Sequence, residues 1–320
     1  MLEVYITVDT EIWCDGWGDL DRKFSGSFKR YVYGSTDKGN YALPMTLEIL
    51  KDNGLEGVFF VEPLFSTRFG RPALEEVVGL IEDHNQEIQL HVHTEWLDEA
   101  IKPLFPEIEE KRQFLFQFDL DKQRRILQHG LDLLGEVGVA NVNAFRAGSY
   151  AANIDTLEAL SQVGIPIDTS YNPAASDLDQ SIFMQKHVQQ RQVLKGTCVY
   201  PVTVIDDGRG LRHLQVTACS LAEFKYALDK AEAEGWDSIV IVTHNFELLN
   251  QAKTAPDPIV CKRFIKLCEH LNKHRNRFRT RGFIGADTNS FEGVADPLPS
   301  KITLTGLRYL EQGLRKILVH

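Results

Sequence analysis

Two hydrophobic rhythms alternate along this chain. Short apolar runs at 4–8, 57–61, 87–91, 142–145, 164–168 and 238–243 are β-branched and aromatic, with little polar interruption. Runs of that kind read as strands covered on both faces. Between them, apolar positions recur every three or four residues, the period of a helix lying on a core. The helical stretches are 43–51, ended by Asn53-Gly54, and 73–83. A third has the stripe Ile126, Leu127, Leu131, Leu133, Leu134 and Val137 and stops at Gly138. A fourth, 154–163, follows the cap residue Asn153. A fifth runs to Glu234 behind the capping box Ser220/Glu223, and a sixth runs from Asp257-Pro258 through Leu271. Residues 206–210 read as a hairpin turn between 198–205 and 211–218, and 278–284 as a closing strand. Residues 12–40 and 95–118 show neither rhythm and read as long loops, which are more often functional than ornamental.

Alternating strands and helices predict an α/β fold with parallel strands. The residues with chemistry fall just after strands, which points to an irregular (β/α) barrel with its site at the C-terminal face. About seven parallel strands are expected over residues 1–286. A linker and helix follow at 287–320, with Leu304, Leu307, Leu310, Leu314 and Ile317 on one side of the helix. That stripe suits packing on the barrel or on a second subunit, a homo-oligomer.

Composition narrows the function. The 320 residues are 43% hydrophobic and 25% charged, which fits a globular protein with a sizeable core. The formal net charge of −10 argues against nucleic acid as a partner. The basic run 273–279 follows a helix and reads as its solvated end. Five cysteines form no CxxC pair, and Cys261 and Cys268 lie on a periodic segment, as core packing in a reducing compartment would have it. No run approaches the ~18 apolar residues of a membrane span. The first residues read as a strand rather than a signal peptide, so a cytoplasmic location is expected.

Four strand ends carry the chemistry. Asp9 and Glu11 are two apart, so in extended chain they face the same way. Loop carboxylates capping the next turn would look the same. His91 and His93 obey the same rule, and Glu95 adds an oxygen donor; imidazole and carboxylate suit zinc and other first-row divalent ions. Arg146 follows an apolar strand and can orient an acid, or form a structural ion pair at a barrel mouth. His244 ends the most continuous apolar strand, as a proton donor or a satisfied core histidine.

In this order and spacing the four places resemble the NodB-type polysaccharide deacetylases, carbohydrate esterase family 4, over residues 1–285. Phe145-Arg146-Ala147-Gly148 and His244-Asn245-Phe246-Glu247 are most similar to the divergent branch associated with lipopolysaccharide and capsule synthesis. The resemblance implies a divalent metal, zinc in first place, and hydrolysis of an N-acyl group, in first place N-acetyl, from a sugar or glycan precursor. It implies Asp9 as general base, Glu11 and His91 as metal ligands, and Arg146 as the brace of Asp9. His244 would be the general acid, and Asp168 the carboxylate that polarises it. The family's second metal histidine lies four residues after the first. Here that position is Glu95, so His93 or Glu95 completes the set. Ala147-Gly148 replaces the two prolines of many relatives, which leaves the oxyanion donor open between Ser149 and Tyr150. Trp13, Trp17, Tyr31 and Trp96 would offer flat faces to sugar rings. Two other readings stand beside this one: a hydrolase of a cyclic amide or ureide with weak metal dependence, and a sugar-binding or scaffold protein without catalysis.

Overall fold

The computed structural model describes residues 1–175, 188–293 and 295–318. The strands of its main sheet are β1 (Leu2–Thr10), β2 (Gly57–Val61), β3 (Glu87–Val92), β4 (Ala144–Ala147), β5 (Ile167–Asp168), β6 (Gln192–Leu194), β7 (Thr197–Val199), β8 (Ser238–His244) and β9 (Phe278–Thr280). The order across the sheet is β8-β1-β2-β3-β4-β5-β7-β6. Eight of these nine strands run parallel, and only β6 turns back, antiparallel to β7. The expected closing strand is β9, which shares one edge of β1 with β2: β9 pairs Leu2–Val4 and β2 pairs Ile6–Thr10. The sheet curls into a half-barrel until the chain leaving β7 reaches the open edge of β8. There Thr203 N donates to Val240 O, and Val242 N to Leu214 O.

Period-two alternation on β1 sorts its side chains. Val4, Ile6 and Val8 join the outer core under the helices. Tyr5 points inward with Val58, Phe60, Tyr200, Val240 and Phe283. The Tyr5 and Phe283 rings stack at 4.4 Å, with Tyr200 edge-on to both. This aromatic floor fills one end of the half-barrel, and the next inward positions, Thr7 and Asp9, rise above it toward the C-terminal end.

The longer helices among the described residues are α1 (Leu20–Phe28), α2 (Leu43–Asp52), α3 (Arg71–Glu82), α4 (Leu120–Glu136), α5 (Ile154–Val163), α6 (Leu221–Ala233), α7 (Pro258–Lys273) and α8 (Ile302–Leu318). Asn153 and Ser220 form capping boxes, and Asp257 caps the amides of Ile259 and Val260. Cys268 is buried in the core beside Leu267 and Leu271.

Two expectations need correction, and a third loses one of its two alternatives, packing of the leucine stripe on the barrel. The segment 12–40 is not all loop. Leu20, Phe24 and Phe28 are four apart and build α1, with Phe24 stacked on Phe69 at 3.7 Å. The hairpin is shorter than expected, Val204–Asp206 against Leu211–His213. Pro201 cannot donate to a ladder, and Thr197–Val199 joins the main sheet instead. The terminal helix turns its charged side inward. Arg308 bonds Asp207 at 2.8 Å and Glu223 at 3.2 Å, Glu311 takes Arg263 at 2.7 Å, and Arg315 pairs with Asp257. Leu307, Leu310 and Leu314 remain more than half exposed. The Ile317 side chain lies outside the described residues. Among the described residues no helix is long and apolar enough to cross a membrane.

Candidate active site

Parallel strands bring all their C-terminal ends to one side, so the four strand-end motifs meet. Asp9 and His244 are register partners on β1 and β8, and His91 and Arg146 on β3 and β4. A cavity of about 230 Å³ is lined by Asp9, Glu11, Trp13, His91, His93, Ala147, Ser149, Tyr150 and His244.

Arg146 is fully buried and stands on the aromatic floor, its guanidinium 4.6 Å from the Phe60 ring centroid. It donates to Asp9 Oδ1 at 2.7 Å, to Thr7 Oγ1 at 2.9 Å, and to Thr169 O and Oγ1 at 3.2 Å each. A buried charge survives only when it is paired and its donors are used, and here both hold.

Glu11 leaves β1 with its backbone pinned. Its amide donates to Asn245 Oδ1 at 3.0 Å, and Asn245 N donates to Asp9 O at 3.1 Å. The indole N–H of Trp13 donates to Glu11 Oε2 at 2.7 Å. Nε2 of His91 and Nε2 of His93 lie 3.1 and 2.9 Å from Glu11 Oε1. Burial opposes ionisation of Glu11, yet the charge of His93 and the hydrogen bonds of both histidines hold it well below the usual carboxylate range. Burial likewise disfavours charge on His93, but Glu11 and Glu95 outweigh it and raise His93 well above an ordinary histidine.

The remaining ring nitrogens fix the orientation of the rings. His91 Nδ1 donates to Arg146 O at 2.7 Å, and His93 Nδ1 faces Glu95 Oε2 at 3.3 Å. Both Nε2 atoms are thereby aimed at the cavity. Of the two residues left open by the sequence, His93 faces the cluster and Glu95 stands behind it. Donor atoms of Glu11, His91 and His93 lie within 4.8 Å of one another, as do those of Asp9, Glu11 and His244. Two oriented imidazoles and a carboxylate fit a first-row divalent cation, each histidine carrying an oxygen partner on its far nitrogen.

His244 Nδ1 donates to Glu247 Oε1 at 2.7 Å, and Nε2 points to Glu11 Oε1 from 4.0 Å. Burial lowers the imidazole, but the Glu247 bond and the charge of Glu11 prevail and push it up to about 9. This corrects the role expected for Asp168. Its carboxylate accepts from Ser170 Oγ at 2.6 Å and Ser170 N at 2.9 Å, closing its own turn beside Arg146, while Glu247 holds His244. Burial pushes Asp168 up to about 6. Gln215 Nε2 also donates to Glu247, and Gln215 Oε1 takes His213 Nε2 at 2.6 Å. Glu247 lies three residues past a strand-end histidine, a spacing that one turn of chain brings back to the ring. Gln215 and His213 carried no signal in the sequence.

Two further features shape the cavity. Ser149 and Tyr150 both adopt left-handed backbone, φ 55° and 57°, a strain that persists only where the surroundings enforce it. Of the four aromatics expected to face sugars, Trp96 and Tyr31 are buried, and Trp13 and Trp17 keep exposed surface. Trp13 sits edge-on to His93 at 4.7 Å.

No family model matches this chain, and no curated protein matches it in sequence. Solved structures do match in shape. A Mycobacterium smegmatis protein described as a polysaccharide deacetylase superposes with a TM-score of 0.56 at 16% identity, covering 89% of this chain and 88% of that one. A 4-alpha-glucanotransferase from Thermococcus litoralis superposes with a TM-score of 0.54 at 8% identity, covering 98% of this chain and 47% of that one. Proteins named for two different reactions share the architecture, so the architecture does not choose the chemistry. The chain has the NodB-like deacetylase fold, and its reaction has to be argued from its own side chains.

Proposed function

We propose that this protein hydrolyses an N-acyl group, in first place N-acetyl, from a sugar or glycan precursor used in cell-surface polysaccharide synthesis. The supporting observation is one juxtaposition. Asp9, braced by Arg146, and His244, braced by Glu247, reach within 4.8 Å of Glu11 beside the His91/His93 pair. A base and an acid on either side of a donor cluster suit amide hydrolysis better than glycosyl transfer, which calls for two carboxylates flanking a sugar.

Glu11, His91 and His93 would hold a divalent cation, zinc in first place. When bound, such an ion lowers the pKa of water toward ~7 and polarises a carbonyl. Asp9, positioned by one oxygen on Arg146, takes a proton as water attacks the acyl carbon. His244 carries a proton at neutral pH, because its value stands at about 9, and delivers it from Nε2 to the departing amine. Glu95 holds the His93 ring on line, and Trp13 does the same for the Glu11 carboxylate.

The small cavity also gives the cyclic amide or ureide reading a footing, since about 230 Å³ takes a compact ring. Acetate release from N-acetylated sugars and ring opening of hydantoins, each assayed with saturating zinc or cobalt, separate the two. The variants Asp9→Asn and His244→Ala should abolish whichever activity is real. Wild-type protein that releases no acyl group from any N-acyl sugar overturns the deacetylase reading, and tight glycan binding without turnover replaces it with the sugar-binding one.

A further inference from the structure

We propose that the groove flanking the site on the Phe246 side is a subsite for an anionic group, phosphate or carboxylate, on the glycan, with the Lys253 ammonium as its cation. This rests on the glycan reading above and names the class of glycan.

The groove has a volume of about 980 Å³ and runs between the 246–253 loop and α8, with Phe246, Glu247, Lys253, Tyr309 and Arg315 in its walls. It adjoins the site, with two residues between them. Glu247, which holds His244, also lines the groove. The Phe246 ring lies 5.5 Å from the His244 ring, centroid to centroid, tilted by 30°. On the far side of Phe246 sits Lys253, its Nζ 5.1 Å from that ring centroid and 5.0 Å from that of Tyr31.

Lys253 lacks the carboxylate partner that the most deeply covered arginines have. Arg146, Arg191, Arg212, Arg263 and Arg308 each meet a carboxylate, and the groove's other cation, Arg315, pairs with Asp257. Lys253 is half-buried, yet among the described residues no carboxylate comes within ion-pair distance of its Nζ. Its side-chain hydrogen bond to Gln251 O is long, 3.4 Å. The nearby Asp15 carboxylate is taken by Arg30 and faces the Tyr31 hydroxyl. In a chain of net charge −10, acids were available. Among the described residues Lys253 is also one of seven non-glycine residues in left-handed backbone, and its turn is tied by Asn250 Oδ1 to the amides of Thr254 and Ala255 at 2.9 and 3.3 Å. The ammonium is therefore presented by a braced turn over two ring faces. A desolvated cation of that kind attracts an anion more strongly than a solvated one, and the rings offer apolar contact to the sugar carrying it.

The test measures binding to metal-free full-length protein, so that turnover does not intervene. The probes are N-acetylglucosamine, its 1-phosphate and its uronate. The wild type is expected to bind at least one charged sugar tenfold or more tighter than the neutral one, and the stronger of the two identifies the anion. Lys253→Met should erase that preference while leaving neutral-sugar binding and the near-UV circular dichroism spectrum unchanged, and Lys253→Arg should restore most of it. A wild type without preference, or a Lys253→Met protein that keeps it, overturns the subsite. Lys253-dependent preference in a protein that deacetylates nothing would retain the subsite and remove the deacetylase reading; deacetylation without preference would do the reverse.

Discussion

The His93 ring occupies the space where a side chain at residue 148 would begin. A Cβ built on Gly148 would lie 2.6 Å from His93 Nδ1, closer than real contacts allow. Neither alanine nor the proline of the resembling family fits there with the ring in place. The histidine two residues after His91 and the glycine two after Arg146 are thus one arrangement. Gly148→Ala should tilt His93 off its line to Glu11 and weaken zinc binding by roughly 10–100-fold, as the loss of a partner that orients a ligand does. Calorimetric titration with zinc checks this, and an unchanged affinity would remove His93 from the site.

Zinc binding should expel protons. In the folded chain Glu11 and Glu95 raise His93 well above an ordinary histidine, and only the neutral ring donates to a metal. Titrations in buffers of different ionisation enthalpy should show about one proton released per zinc at neutral pH. Affinity should fall as pH falls.

The alkaline limit of activity should belong to His244. Its value near 9 keeps it protonated at neutral pH, so the rate should decline as pH rises through about 9. Glu247→Gln removes the partner that raises it and should bring that limb down toward the ordinary value of about 6.5. The same shift has a stability side. Because the folded value is raised, the His244–Glu247 pair contributes fully below about 6.5 and loses its contribution as pH rises through about 9. A limb that stays put in Glu247→Gln would assign the group to another residue.

Arg146 and Asp9 should be worth more together than either is alone. Arg146→Met leaves Asp9 buried beside Thr7 without its counter-charge, which costs about 3–5 kcal/mol. Arg146→Met with Asp9→Asn should recover a sizeable part of that loss in urea unfolding. Independent, additive losses would show that the pair is not coupled.

What could be read from the sequence followed the strands. β1, β2, β3 and β8 were visible as apolar runs, and two-residue spacing correctly placed Asp9 with Glu11 and His91 with His93 on shared faces. The caps Asn153, Ser220 and Asp257 marked three helix starts. Helix α1 was hidden because Gly18 and Gly26 and several charges dilute a stripe of only three apolar residues. The resemblance pointed to Asp168 as the brace of His244, but a carboxylate at a strand end can as easily close its own turn, as Asp168 does with Ser170. The leucine stripe of α8 defined a face without saying what lies against the opposite one. Asp207, Glu223 and Arg263 come from three separate elements, and no local period announces them.

The solid floor under Arg146 has a consequence for traffic. Tyr5, Phe60, Tyr200 and Phe283 close the half-barrel below the cavity, so substrate and products both pass on the side of the strands' C-terminal ends. On the proposed chemistry one substrate becomes two products in a blind chamber. Whichever fragment lies deeper has to wait for the other, and release acquires an order that the catalytic groups themselves do not impose.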